Sequence, residues 1–156
     1  MKTSEIVVMW TDEADRALGL PVYATVGAAG ADLRANFPPE TRATGLTLAP
    51  GARALVPTGL RMAIPDGHEV QIRPRSGLAL RHGITMPNAP GTIDCDYRGP
   101  LQVVIQNAGQ ETYTIAHGDR IAQMVLAPVL RAVFRMDDVV NDTARGEGGF
   151  GSTGSG

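Results

Sequence analysis

The sequence predicts an all-β domain, either a sandwich or a barrel. Turn signals recur about every 8–12 residues along most of the chain. Between them, apolar and polar residues alternate, as where Val70 and Ile72 stand among Glu69, Gln71 and Arg73. Helical periodicity is confined to two short stretches.

The elements can be placed in order. Residues 5–10 (EIVVMW) start the set, and residues 30–36 (GADLRAN) give a short second run. Residues 45–60 hold two extended runs around a turn at Pro50-Gly51. Residues 60–75 carry the cleanest hairpin signal, with Pro65-Asp66-Gly67 as its turn. A further hairpin is expected over residues 101–118 around Asn107-Ala108-Gly109, and residues 120–130 and 132–136 complete the strands. Residues 12–19 and 76–83 read as helices of one or two turns; the acids of the first stand at its favourable N-terminal end. Composition changes only after Asp138, so residues 1–138 read as one domain and residues 139–156 as a flexible tail.

Bulk properties narrow the function classes. With 156 residues and 43% hydrophobic residues, the chain can bury a real core. No apolar run approaches the roughly 20 residues of a membrane helix. The N-terminal stretch turns acidic too soon for a secretory signal, so a cytoplasmic location is expected. The single cysteine, Cys95, excludes an internal disulfide and a cysteine-based metal cluster, and reads as a small buried apolar group and not a nucleophile. A net charge of −2 does not by itself suggest nucleic-acid or phosphate partners. Of 14 basic residues only Lys2 is a lysine, and guanidinium forks suit phosphate oxygens. Genomic bias explains that composition equally well, so position has to decide.

Five segments are too polar and glycine-rich for strand cores: AGADLRA (29–35), PRSGLALRHGI (74–84), NAPGTIDCDYRG (88–99), GDRIAQM (118–124) and RGEGGFGSTG (145–154). In the second, Arg75 offers a fork of donors, Ser76 a hydroxyl and Gly77 a bare amide ahead of a helix, which suits an anion. An ordinary serine cap with a solvated arginine would read the same way. In the third, Asp94 and Asp96 would share one face of a strand and so suggest a base or a magnesium site. A turn with aspartate caps is at least as good a reading. Tyr97 then brings an aromatic surface beside the acids, or fills a core.

Taken together and in order, these five segments resemble the motifs of the trimeric deoxyuridine triphosphate nucleotidohydrolases, the dUTPases. The resemblance runs from about Gly27 to Gly154. It implies a jelly-roll-like β-barrel subunit in a homotrimer with shared active sites. The implied reaction takes dUTP to dUMP and diphosphate with Mg²⁺, which keeps uracil out of DNA and supplies dUMP for thymidylate synthesis.

The resemblance also assigns roles. Asp94 is the carboxylate that orients the attacking water. Tyr97 packs on the deoxyribose and rejects a 2′-hydroxyl. Asn88 and the backbone of Gly91, Thr92 and Ile93 read uracil, with Gln102 as a further contact. Arg75, Ser76 and Gly77 form the phosphate-binding turn, with Ser76 toward the α/β bridging oxygen, and Gln123 adds a phosphate contact. Asp32 is expected to touch the magnesium through its water shell, the metal being held mainly by substrate phosphates. Arg120 reads instead as a structural ion-pair partner. The tail is expected to be a mobile arm in which Phe150 stacks on uracil and Arg145 reaches the γ-phosphate. Pro100, where such enzymes often carry a polar residue, is expected at the first position of a strand.

Three rivals bear on this reading, and one of them, a plain jelly-roll interaction domain, leaves the tail unexplained. A dCTP deaminase shares the jelly roll but needs a glutamate beside the base, and the nearest one, Glu111, belongs to another strand. A non-catalytic nucleotide-binding trimer would be expected to have lost Asp94 or the tail, and both are present.

Overall fold

The structure, a computed structural model, describes residues 3–149. Eleven strands form: β1 (Val7–Trp10), β2 (Val22–Tyr23), β3 (Ala31–Arg34), β4 (Leu46–Leu48), β5 (Arg53–Ala63), β6 (His68–Pro74), β7 (Ile84–Thr85), β8 (Gly91–Ile93), β9 (Leu101–Asn107), β10 (Tyr113–Ile115) and β11 (Arg120–Pro128). One helix, α1 (Ser76–His82), stands between β6 and β7. The strands build a four-stranded sheet in the order β1-β5-β9-β7, a five-stranded sheet in the order β2-β3-β11-β6-β8, and a small pair β10-β4. Every pairing is antiparallel.

Alternation explains which faces meet. Along β9, Leu101, Val103 and Ile105 are buried while Gln102, Val104 and Gln106 turn outward. Val70 and Ile72 do the same on β6. These side chains join Leu33, Val56, Leu60, Ile121 and Met124 in one core.

Two expected hairpins are not hairpins. The Pro65-Asp66-Gly67 turn is present, but β5 pairs with β1 and β9 whereas β6 pairs with β11 and β8. Asn107-Ala108-Gly109 likewise links β9, which pairs with β5 and β7, to β10, which pairs with β4. A turn signal marks where the chain reverses; the buried faces decide which strands pair. Residues 132–136 form no strand. Val133, Phe134 and Met136 are almost fully exposed, and no strand of the subunit pairs with that segment among the described residues. The expected helix over residues 12–19 shrinks to a 3₁₀ turn, Arg16–Leu18, capped by the Asp15 carboxylate.

Three local devices fix the frame around the site. In β5 the register slips between Pro57 and Leu60, which accommodates a proline inside a central strand. Gly59 in that slip has φ 73°, and a Cβ there would stand 2.6 Å from the Asn36 amide nitrogen. Gly83 ends α1 with φ 67°, and its carbonyl accepts the Ala108 N–H at 2.9 Å. Asn107, fully buried, donates to the carbonyls of Leu48 and Glu111 at 2.9 and 2.7 Å and accepts the Gly109 N–H at 2.9 Å. That amide closes the β9-to-β10 turn that supports the end of α1.

Candidate active site

One group of expected site residues gathers where β3, β6 and β11 meet α1. Asp32 on β3 is opposite Gln123 on β11, which in turn is opposite Arg73 on β6. The Asp32 side chain, about 10% exposed, lies 3.3 Å from Arg75 Nε and accepts from Arg120 Nη1 at 3.0 Å and Gln123 Nε2 at 3.3 Å. Arg75 also donates to the Arg120 carbonyl at 3.1 Å. Two guanidinium groups and one carboxylate leave a local excess of one positive charge. Ser76 is exposed and Gly77 half-buried at the start of α1, directly after Arg75. The ion pair expected for Arg120 is therefore present, and its partner is Asp32 itself.

A second group lies at the other end of β6. The strand β8 (Gly91–Ile93) leads into a turn rather than continuing as a strand, and the Tyr97 N–H donates to the Asp94 carbonyl at 3.2 Å. Arg98 Nη1 ties the same turn by donating to the carbonyls of Cys95 at 2.6 Å and Tyr97 at 2.8 Å. The Tyr97 hydroxyl donates to the Pro100 carbonyl at 3.2 Å. Leu55, Thr92, Ile93, Asp94, Tyr97, Pro100 and Gln102 line a groove of about 240 Å³. Thr92, Ile93, Asp94, Tyr97 and Gln102 were expected there from sequence. Leu55 and Pro100 were not: Leu55 reads as an ordinary strand residue, and Pro100 stands one place before β9 rather than at its first position.

Gly91 is buried against Ile72, whose Cβ would come within 3.5 Å of a Cβ at Gly91, and Asn88 Nδ2 lies 3.3 Å from that same point. Asn88 therefore borders the strand whose backbone edge was expected to read a base. Cys95 is half-buried beside the core, with Sγ 3.6 Å from Asp66 Oδ1. Glu111 borders a different depression, with Arg81, His82 and Tyr113, and stands apart from the groove.

The two groups are not neighbours. Ile93 is paired with Val70, and Ser76 follows six residues further along the chain of β6, which spans roughly 20 Å at strand rise. Asp94 and Tyr97 therefore occupy the opposite end of β6 from Asp32, Arg75, Ser76 and Gln123. Arg145 joins neither group: its Nε donates to the Gly148 carbonyl at 2.8 Å within an exposed turn. Phe150 lies outside the described residues.

The donor set bears on a metal. Among the described residues, no group of three His, Cys, Asp or Glu side chains could enclose one. Asp32 has about four lone-pair sites. Arg120 and Gln123 take two of them by hydrogen bonds, and Arg75 crowds the same carboxylate as an ion-pair partner. What remains fits a water molecule of a hydrated cation and not a direct, charge-rich ligand set.

Comparison with known proteins adds to this geometry. The sequence profile of one family, described as dUTPase, matches residues 17–154. The deoxyuridine 5'-triphosphate nucleotidohydrolase of Dinoroseobacter shibae is 65% identical over 143 residues, covering 92% of each chain. That of Roseobacter denitrificans is 62% identical over 154 residues, covering 99% of each. Among solved structures, the Staphylococcus bacteriophage 80alpha dUTPase with dUPNHPP superposes with a TM-score of 0.82, covering 98% of this chain and 100% of that one at 24% identity. That last likeness speaks for the fold alone.

Proposed function

The chain belongs to the dUTPase family and hydrolyses dUTP to dUMP and diphosphate, and we propose that it does so at sites assembled between the subunits of a homotrimer. The observation that carries this reading is the length of β6 between the two half-sites. The groove that Tyr97 and Asp94 share has a base-and-sugar wall but, among its described lining residues, no cation for a triphosphate tail. The cluster around Arg75 has cations, and none of the residues expected to meet the base or the sugar stands among them. The two half-sites stand apart along β6, and we read the groove of one subunit as facing the Arg75 cluster of another, so that one nucleotide meets both.

In that arrangement the backbone of Gly91, Thr92 and Ile93, with Asn88, presents donors and acceptors to uracil. Cytosine would leave them unpaired, at a cost of about 1–3 kcal/mol for each buried group. Tyr97 presses on C2′ of the sugar. Arg75, Gly77 and Gln123 hold phosphate oxygens, and Ser76 donates toward the α/β bridging oxygen.

Asp94 accepts a proton from a water molecule as that water's oxygen forms a bond to the α-phosphorus. The bond from that phosphorus to the bridging oxygen breaks in line, and diphosphate leaves with the electron pair. Positioning of this kind by one base is worth roughly 10²–10⁴-fold in rate. Mg²⁺ use fits the family; bound by the substrate phosphates, the ion would neutralise their charge. Asp32 would hold one of its waters while fixing Arg75 and Arg120.

Residues 139–156 form the arm of this reading. Arg145 reaches the γ-phosphate and Phe150 covers uracil, and closure excludes water from the site. No described helix is long and apolar enough to cross a membrane, and a cytoplasmic location suits an enzyme of the nucleotide pool.

The test is diphosphate release with Mg²⁺ from dUTP, dCTP, dTTP and UTP, with ammonia measured alongside. Release from dUTP with little from the others is expected. Ammonia from dCTP would replace this reading with deamination.

A further inference from the structure

Gly99 stands directly beneath the Tyr97 ring. A Cβ on it would meet the tyrosine hydroxyl, with ring carbons Cζ at 2.5 Å and Cε2 at 2.9 Å. The glycine is not there for its backbone freedom, since its φ lies outside the left-handed region. Space for the ring is the reason left.

We propose that Gly99 is a specificity-determining positioning residue: the bare backbone at this site seats the Tyr97 ring at the depth that separates deoxyribose from ribose. The inference rests on the assignment of Tyr97 to the sugar and adds the feature that sets the ring's height.

The surroundings decide what gives way when a methyl is added. The turn backbone is tied on both sides of the glycine. Arg98 Nη1 donates to the Cys95 and Tyr97 carbonyls, and β9 begins at Leu101 with its register set by β5. The ring is held more lightly. It is 44% exposed, and its one polar tie among the described residues is the hydroxyl to the Pro100 carbonyl at 3.2 Å. An added Cβ would therefore displace the ring and spare the turn. Reaching ordinary contact at 3.4 Å from 2.5 Å requires a withdrawal of about 1 Å.

Either direction of displacement lowers discrimination. A ring moved off the sugar leaves room for a 2′-hydroxyl. A ring pushed into the sugar excludes dUTP as well, and UTP was already excluded. A misplacement of about 1 Å is worth up to about 100-fold.

The experiment compares kcat/KM for dUTP and UTP in the full chain, Gly99→Ala, Tyr97→Ala, Tyr97→Phe and the double variant Gly99→Ala/Tyr97→Ala, with thermal unfolding recorded for each. Gly99→Ala is expected to lower the dUTP-to-UTP ratio by about tenfold to a hundredfold at nearly parental stability. Tyr97→Phe, which loses the Pro100 tie, is expected to lower it less. In the Tyr97→Ala background the glycine substitution should have no further effect on the ratio.

A parental ratio in Gly99→Ala, while Tyr97→Ala loses it, would overturn the role of Gly99. So would a Gly99→Ala chain that fails to fold together with a parental ratio in Tyr97→Phe. A parental ratio in Tyr97→Ala would instead remove the sugar-wall reading of Tyr97 itself.

Discussion

Asp32 Oδ1 stands 3.3 Å from Arg75 Nε, so an acid on β3 holds the arginine that links β6 to α1. Its other oxygen accepts from Arg120. A carboxylate placed in this way serves two cations before any ligand arrives. It spaces two guanidinium groups that would otherwise repel each other and aims their remaining donors outward.

Asp32→Asn should therefore weaken nucleotide binding more than it slows chemistry. One charge-assisted contact is worth about 1.5–3 kcal/mol, so KM should rise by roughly tenfold to a hundredfold with a smaller change in kcat. Stability should fall by about 1–3 kcal/mol, because Arg75 and Arg120 lose their shared counter-charge. Steady-state kinetics and urea midpoints on the same preparation check both parts. A variant with parental KM would leave Asp32 as a bystander.

Asp94 and Ser76 make a second prediction because they sit at opposite ends of β6. Asp94→Asn and Ser76→Ala should each lose most turnover, and the first should keep its affinity for a non-hydrolysable dUTP analogue. When the two variants are unfolded together and reassembled, random assortment pairs an intact groove with an intact phosphate turn at about a quarter of the sites. About a quarter of parental activity should return. No recovery above the sum of the separate variants would mean that a single subunit supplies both halves.

How much of this was legible in the sequence depends on how local the cause is. The strand β9 could be read because Leu101, Val103 and Ile105 alternate with polar or outward residues over its whole length. The helix α1 could be read because Ser76 and Gly83 bracket it, and Gly83 does adopt the left-handed cap. The Pro65-Asp66-Gly67 turn was visible too, but its two strands separate into different sheets. Core complementarity between distant segments, not the turn, sets that choice.

The candidate site divides in the same way. Thr92, Ile93, Asp94, Tyr97 and Gln102 were named as site candidates and share one groove. Leu55 joins them only because β5 is registered against β9, with Pro57 opposite Gln102. Nothing near Leu55 in the chain announces that. The separation of Asp94 from Ser76 also rests on a long-range pairing, Val70 with Ile93. The exposed run at residues 132–136 looked like a strand because strand propensity records apolar content and not the presence of a partner.

A pH prediction concerns Asp15. Its carboxylate accepts the Ala17 N–H at 3.0 Å and faces His117 Nε2 at 3.2 Å, and its pKa is lowered from the ordinary 3.8, first by the backbone bond and then by the histidine. His117 Nδ1 accepts the Phe37 N–H at 3.1 Å, which leaves Nε2 as the donor to Asp15. Because the folded value lies below the unfolded one, this contribution is fully present above the unfolded value of about 4. It is lost as pH falls through the folded value. Urea midpoints measured at about pH 6 and about pH 3 should fall further for the parent than for Asp15→Asn. Equal falls would mean that the cap does not contribute through its charge.

The arm supplies the last prediction. Ordering a residue costs roughly 1–2 kcal/mol in backbone entropy, and a glycine-rich segment stands at the upper end. Residues 145–156 contain six glycines, so their closure needs a strong ligand-dependent return. Arg145 can supply part of it, since it is exposed and its Nε is spent on the Gly148 carbonyl within its own turn. Exchange of that internal bond for a γ-phosphate gains a charge-assisted pair. Deleting the chain from Arg145 onward should therefore leave an assembled, folded protein of trimer mass whose kcat/KM for dUTP falls at least about 100-fold. Removing only Ser155 and Gly156 should leave the rate at the parental level. Light scattering and thermal unfolding on the long deletion separate the outcomes: lost turnover with unchanged mass and unfolding temperature supports a closing arm, whereas a chain that dissociates or unfolds would make the same residues part of the scaffold.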